Sequence, residues 1–500
     1  MTTRRTFLKS ATASSVLGGY GIAGLGLRPV SAAEATLDAA SVRFNDNIEP
    51  LVRLIEDTPR EKLIEEVAQR VRDGLGYRKL LAALLLAGVR NVQPRPSVGF
   101  KFHAVLVVNS AHLASMASRA EDRWLPIFWA LDNFKSSQAR DVREGNWTMA
   151  AVDESNVPTA DAAQAMFTEA MDEWDEVKAD AAVTGLSRTA GANQVFEMFA
   201  RYGARDFRSI GHKAIFVANS YRTLQCIGWN HAEPDLRSLA YALQNHEGQP
   251  NPAENDLDAD RPWRKNLERA ERIREHWQSG RTDNGSTKEL VETFRTGSND
   301  DVCEQVVEML NAEVAPQSVY DALFLAAGEL LMRQPGIVAL HAMTTTNALR
   351  YAFTMSANDN TRRMILLQNA AFLPLFRKAM NGRGEVKENW ITEIADKSES
   401  DATLDGIFND IGRNTQQAAE KVLAYLGGDG MADSLIDEAR RYVFLKGNDS
   451  HDYKFSSAVL EDYYNVSPEW RDRYLAASVF KLRGANANDN GLVERIQRAI

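Results

Sequence analysis

The sequence predicts a mainly α-helical protein made by tandem duplication of a domain-sized unit, its two halves related by a pseudo-two-fold axis. Three observations lead there. The pattern His103-Ala104, four residues, Asn109 returns as His341-Ala342, four residues, Asn347, with 238 residues between the histidines. A second histidine, His212 in Ile210-Gly-His-Lys-Ala-Ile-Phe216, has its counterpart 239 residues on at His451, in Asp449-Ser-His-Asp-Tyr-Lys-Phe455. Apolar residues recur mostly at helical spacing, and hairpin signals are few.

Taken in order, Glu34 to Phe44 reads as a solvated leader. Between Ile48 and Asp73, Leu51, Leu54 and Ile55, then Leu63, Ile64, Val67 and Val71 mark helical faces. Thr58-Pro59-Arg60-Glu61 supplies a helix start, with proline in the first turn. Tyr77 to Gly88 is apolar nearly all round and predicts a buried helix. Gln93-Pro94-Arg95-Pro96 interrupts the chain. Val98 to Ser118 has a valine-rich centre, but its length and its Ala/Ser/Met tail favour a buried helix over a strand. Arg123 to Phe134 is a further apolar segment, and residues 157–183 predict an acidic helix. Val195 to Tyr202, Ile210 to Ile227 and Asp235 to Gln244 complete the first half.

Residues 247–286 open with Gly, Pro and Asn and close on Ser279-Gly-Arg-Thr-Asp-Asn-Gly-Ser286. They predict a charged linker with one exposed helix between Arg261 and Gln278. Repeat 1 is then 34–246 and repeat 2 is 287–500. Further landmarks stay in order across the two: Leu51-Val52 with Leu290-Val291, Tyr77 with Tyr320, Arg123 with Arg362, Asn146-Trp147 with Asn389-Trp390, and Pro234 with Pro468. A period this long means a duplicated domain rather than a solenoid.

Five hundred residues exceed one ordinary core, which agrees with two units. A hydrophobic share of 44% and a charged share of 25% are those of a globular protein. The net charge of -10 argues against nucleic acid as a partner, because phosphate neutralisation needs a basic face. Two cysteines, Cys226 and Cys303, exclude a disulfide framework and a Cys-rich metal site. The run Leu80 to Val89 is too short to span a bilayer, so no integral membrane segment is expected in the mature chain.

The N-terminus carries Thr3-Arg4-Arg5-Thr6-Phe7-Leu8-Lys9, a Gly/Ala-rich run from Ala11 to Leu27, and the small-residue cluster Val30-Ser31-Ala32-Ala33. This three-part layout with paired arginines resembles a bacterial twin-arginine (Tat) signal over residues 1–33. The resemblance implies recognition by the Tat export machinery, a periplasmic location, and passage across the membrane already folded. A Gly19-Tyr-Gly21-Ile-Ala-Gly24 match to a dinucleotide fingerprint falls inside this signal, with no strand before it, and is discarded.

Eight histidines are present. The repeat pairs four of them, His103 with His341 and His212 with His451, and leaves His112, His231, His246 and His276 unpaired. Halves packed about a pseudo-two-fold axis bring equivalent residues to face each other, as symmetric dimers do. Four imidazoles between the halves would make a transition-metal site, with iron or copper preferred and zinc possible. The competing reading is a pair of core histidines kept for packing. Asn109 and Asn347 are candidate outer-sphere partners of the rings or caps of a buried turn. Lys101, Lys213 and Lys454 each lie within three residues of a paired histidine, as anion binders or as solvated charges. Trp124, Trp129, Tyr463 and Tyr464 read as core residues or as the wall of an apolar ligand site. No HExxH, GxSxG, P-loop or CxxCH motif is present. The expected function is an exported His-ligated metalloenzyme with oxidoreductase- or oxygenase-type chemistry at a site shared by the repeats. The alternatives are a zinc-dependent hydrolase and a non-catalytic periplasmic binding or scaffold protein.

Overall fold

Helices account for the structure, a computed structural model that describes residues 41–395 and 402–500. The twin-arginine segment lies outside the described residues. Among those described there are 22 α-helices and no β-strand. Val42–Ile500 form one compact unit; of the other, Met1–Ser41, only Ser41 is described.

The first half contains α1 (Glu49–Asp57), α2 (Arg60–Arg72), α3 (Tyr77–Asn91), α4 (His103–Met116), α5 (Leu125–Glu144), α6 (Ala160–Glu173), α7 (Glu176–Thr189), α8 (Ala192–Gly203), α9 (His212–Ile227) and α10 (Ala232–Leu243). Then come α11 (Arg261–Arg272), α12 (Asn284–Thr296), α13 (Asn299–Asn311), α14 (Pro316–Arg333), α15 (Ile337–Met355) and α16 (Asp359–Met380). The chain ends with α17 (Leu404–Asp410), α18 (Thr415–Gly427), α19 (Ala432–Lys446), α20 (Ser450–Asp462), α21 (Arg471–Ser478) and α22 (Leu492–Ala499).

Four of these helices, α4, α9, α15 and α20, position the site. They pack as a closed ring in that order, each against two neighbours, so that α4 lies across from α15 and α9 across from α20. Their sequences explain the central position. From His103 to Ala111 every residue of α4 is buried, and so is every residue from Val338 to Leu349 of α15. A helix apolar on all faces has to be enclosed on all faces. Helix α20 is started by a capping box, Asp449 and Asp452 each satisfying the other's backbone N–H.

The structure corrects two expectations from sequence, for the leader and the linker, and refines a third. The end of the leader is docked rather than solvated: Val42 is buried, and its N–H donates to the Met149 carbonyl at 2.9 Å. The acidic segment 157–183 is helical as expected, in two helices, because Trp174 takes a left-handed conformation at φ 61° and ends α6. The linker is built into the core. Helix α11 packs on α13 and α16 with Pro262, Asn266, Arg269 and Ala270 buried. Trp277 is 1% exposed and donates its indole N–H to Asp359 at 2.8 Å. Of the charges on α11, Arg269 is buried and reaches Asp300 and Glu304, both at 2.8 Å, whereas Arg261, Arg264, Lys265 and Arg272 stay exposed. No helix among the described residues is long and apolar enough to cross a membrane.

Candidate metal centre

Each of the four paired histidines sits at or near the N-terminus of one helix of the ring. His103 and His212 are the first residues of α4 and α9, His451 the second of α20, and His341 is one turn into α15. Short 3-10 turns, Phe100–Phe102 and Ser209–Gly211, lead into α4 and α9. Phe100 takes φ 46°, and Ser209 and Ile210 take φ 50° and 44°. Left-handed conformations at non-glycine residues are strained and persist where packing imposes them. Here they turn two carbonyls back onto the histidine three residues on. The Phe100 carbonyl accepts from His103 Nδ1 at 2.7 Å, and the Ser209 carbonyl from His212 Nδ1 at 2.5 Å. His341 Nδ1 bonds the Ile337 carbonyl at 2.7 Å, and His451 Nδ1 the Asp449 carboxylate at 2.6 Å.

Those four partners decide the tautomers. A carbonyl or an ionised carboxylate only accepts, so each Nδ1 carries the hydrogen. Each neutral ring then presents an unprotonated Nε2. The four rings converge. Centroids of successive rings, His103 to His212 to His341 to His451 and back to His103, are 4.9, 4.3, 5.2 and 4.5 Å apart, whereas the His103–His341 diagonal is 6.4 Å. His212 Nε2 lies 3.1 Å from His103 Nε2 and 3.0 Å from His341 Nε2. The ligand nitrogens of His103, His341 and His451 fall within 4.8 Å of one another, a group able to hold a metal ion.

Electrostatics favour the neutral form of three of the rings. Burial pushes the His103, His212 and His341 imidazoles well below the ordinary histidine range, and the nearby Lys454 ammonium adds to the effect. Helix N-termini at the cluster act in the same direction. The Asp449 carboxyl is held down at about 2, chiefly by its bond to His451. His341, His212 and His103 are buried; His451 is half-buried and gives the cluster its opening to solvent. Gly99 closes on the rings from the loop side. A Cβ there would stand 3.0 Å from His212 Cε1, 3.2 Å from His212 Nε2 and 3.4 Å from His103 Cε1.

The asparagines do not serve the rings, which corrects their outer-sphere assignment. Asn109 Nδ2 donates to Asn219 at 3.3 Å, and Asn347 Nδ2 to Glu461 and Asp462, both at 2.8 Å. Both sit about two turns beyond their histidines, too far along the helix to return to Nδ1. Three backbone carbonyls and Asp449 take that role. The lysines are buried rather than solvated. Lys101 pairs with Asp141 at 2.7 Å and Lys213 with Asp206 at 2.8 Å, whereas the Lys454 ammonium has no hydrogen-bond partner. Trp129 stacks on Tyr453 in the core and Tyr463 is buried, but Tyr464 is exposed.

The unpaired histidines lie outside the ring cluster. His112 Nδ1 meets the Tyr77 hydroxyl at 2.9 Å, His231 Nε2 meets the Asn230 amide at 3.1 Å, His246 lies against Trp174, and His276 is exposed. Asp449 was missed in the sequence although it carries a visible signal, an Asp with a second Asp three residues on at a helix start. No protein-family model, curated protein or solved structure matches the chain.

Proposed function

We propose that His103, His212, His341 and His451 hold one transition-metal ion and that the chain is an exported redox metalloprotein of the oxidoreductase class. One observation carries this reading: Nε2 atoms that all lack a proton face each other at 3.0 and 3.1 Å. Opposed lone pairs at that distance repel unless a cation lies between them. A proton would serve, but burial opposes an imidazolium here. A metal serves better. Bonds of about 2.0–2.1 Å set adjacent donors about 2.9 Å apart at a right angle and about 3.4 Å apart at the tetrahedral angle. The His212–His103 and His212–His341 spacings lie inside that range.

The donor set favours iron or copper. Four imidazoles fill a tetrahedral zinc shell and leave no position for the water that a zinc hydrolase activates. Copper and iron accept further ligands beyond four nitrogens. The donors are neutral and lie at the positive ends of helices, so the lower oxidation state is favoured and the ion is suited to accepting an electron.

Duplication accounts for the ligand set. The ten helices α1–α10 are answered in order by α12–α21. Arg60 and Asn299, Tyr77 and Pro316, Glu176 and Thr415, and Ala232 and Arg471 start helices 239 residues apart. Packing repeats as well: α3 with α4, α5 with α4, and α7 with α10 correspond to α14 with α15, α16 with α15, and α18 with α21. Export through the twin-arginine route fits a protein that folds around its metal before crossing.

The test is elemental analysis of protein recovered from the periplasm. About one iron or copper per chain is expected, lost in His212→Ala and His341→Ala and kept in His276→Ala. Replacing Arg4 and Arg5 with lysine is expected to leave the precursor in the cytoplasm. Purified chain that takes up no metal sinks the metal reading and leaves the scaffold alternative. Undiminished delivery of the lysine variant sinks the export reading alone.

A further inference from the structure

The loop that turns the Ser209 carbonyl onto His212 holds two successive residues, Ser209 and Ile210, in the left-handed region, and neither is a glycine. Such a loop persists only with bonds from outside itself. It receives them from the segment that follows α10. Glu247 Oε1 accepts from the Ser209 N–H at 2.9 Å and from the Ser209 hydroxyl at 2.8 Å. That hydroxyl oxygen accepts in turn from the Val98 N–H and the Ser97 hydroxyl, both at 3.3 Å, in the loop before His103. Asn245, buried, donates to the Pro96 carbonyl at 2.9 Å and accepts from the Glu247 N–H at 3.0 Å. Residues 245–247 thus bond both histidine loops of the first half. Farther along the same segment, Asp260 pairs with Arg208, the residue before Ser209, at 2.6 Å.

The second half is held differently. At the repeat spacing Glu247 falls on Asn486 and Ser209 on Asn448. Asn486 donates to the Asn409 carbonyl instead, at 2.8 Å. The rings there are supported from within their own helices, His341 by the Ile337 carbonyl and His451 by its helix cap, Asp449.

We propose that Glu247 is a positioning residue for the metal centre: it fixes the Ser209 loop, and the loop fixes the ring of His212. The inference rests on the metal reading of the four histidines. Without the carboxylate, Ser209 can leave the left-handed region, its carbonyl turns away from Nδ1, and the ring is free to rotate. A direct outer partner of a metal-bound imidazole is worth about 10- to 100-fold in affinity. Glu247 acts one bond farther out, with the weight of about one hydrogen bond, roughly fivefold.

Two measurements on the full chain test this: nuclear magnetic resonance of the metal-free protein carrying isotope-labelled histidine, and copper titration against a chelator. Signals of the His212 and His341 Nδ1–H groups are assigned from His212→Ala and His341→Ala. In Glu247→Ala the His212 signal is expected to move or to exchange with water while the His341 signal stays, and the copper dissociation constant is expected to rise about fivefold. Glu247→Gln keeps an oxygen acceptor and is expected to stay within about twofold of wild type. Glu247 is exposed, so the alanine variant is expected to fold, which thermal unfolding checks. The proposal is overturned if Glu247→Ala leaves the His212 signal in place, moves the His341 signal equally, or binds copper within about twofold of wild type. It is also overturned if Glu247→Gln is as weak as Glu247→Ala. A wild-type chain that takes up no copper overturns the metal reading instead, and the His212 signal still reports whether Glu247 holds the ring.

Discussion

Gly99→Ala is the smallest change that should disturb the centre. Gly99 has φ -125°, outside the left-handed region that favours glycine. The requirement comes from the rings. The new methyl would sit 3.0 Å from His212 Cε1, well inside contact distance, and the ring has to give by a few tenths of an ångström. In the metal-free protein His212 can tilt away at little cost. With metal bound, the ring is fixed at Nε2 by the ion and at Nδ1 by the Ser209 carbonyl at 2.5 Å. The strain then falls on the loaded state. Overpacking of one methyl costs about 1–3 kcal/mol. That predicts a metal dissociation constant raised roughly 5- to 150-fold. Thermal unfolding of the metal-free variant should match wild type, while the rise in Tm on adding metal should shrink. Competition titration against a chelator reads the affinity directly. Wild-type affinity in Gly99→Ala would mean that the metal does not bind among these rings.

Asp449→Ala should remove both the cap of α20 and the anionic partner of His451. About 1 kcal/mol of stability and roughly 10- to 100-fold in metal affinity are expected to go; unchanged affinity in a chelator titration would refute the outer-sphere role. The Asp449 carboxyl, held at about 2 against an ordinary 3.8, contributes stability above pH 3.8 that is lost as pH falls through about 2. For a half-exposed carboxylate this amounts to about 1 kcal/mol after solvent screening. Denaturation curves of wild type and Asp449→Asn should therefore converge toward pH 2 and separate above pH 4. In an experimental structure, residues 48–246 and 287–482 are expected to superpose with Tyr77 on Tyr320 and Arg123 on Arg362. Unrelated paths for the two segments would end the duplication reading.

The helical class was legible because buried helices such as Leu80 to Val89 are apolar over longer runs than a strand needs. The histidines were legible because internal comparison separated four of them from the other four. What supports those rings was not. Any residue offers a carbonyl, and Phe100, Ser209 and Ile210 reach their left-handed conformations against their own propensity. Lys454 looked no different from Lys101 and Lys213. The acids that neutralise those two, Asp141 and Asp206, lie 40 and 7 residues away in sequence, and nothing local shows that Lys454 lacks one. Helix α11 misled for a related reason: periodicity shows where charges fall on a helix but not whether water or a carboxylate faces them.

Departures from the repeat indicate where two copies of one unit would have specialised. At the spacing that sets His451 on His212, Lys454 falls on Ile215 and Asp449 on Ile210. Ile215 lines the same cavity as Lys454. One wall of that cavity thus carries a lysine and another an isoleucine, where a strictly symmetric pair would have made them alike. The asymmetry gives the cavity one polar donor and one non-polar surface. Asp449 fits the same pattern. In the first half the Ser209 carbonyl holds His212, while in the second a carboxylate holds His451, the ring with most exposure to solvent. An anionic partner there would lie across the ring from any metal bound at Nε2. Three of the rings are held by carbonyls and are buried, and the single carboxylate-held ring is the half-buried one.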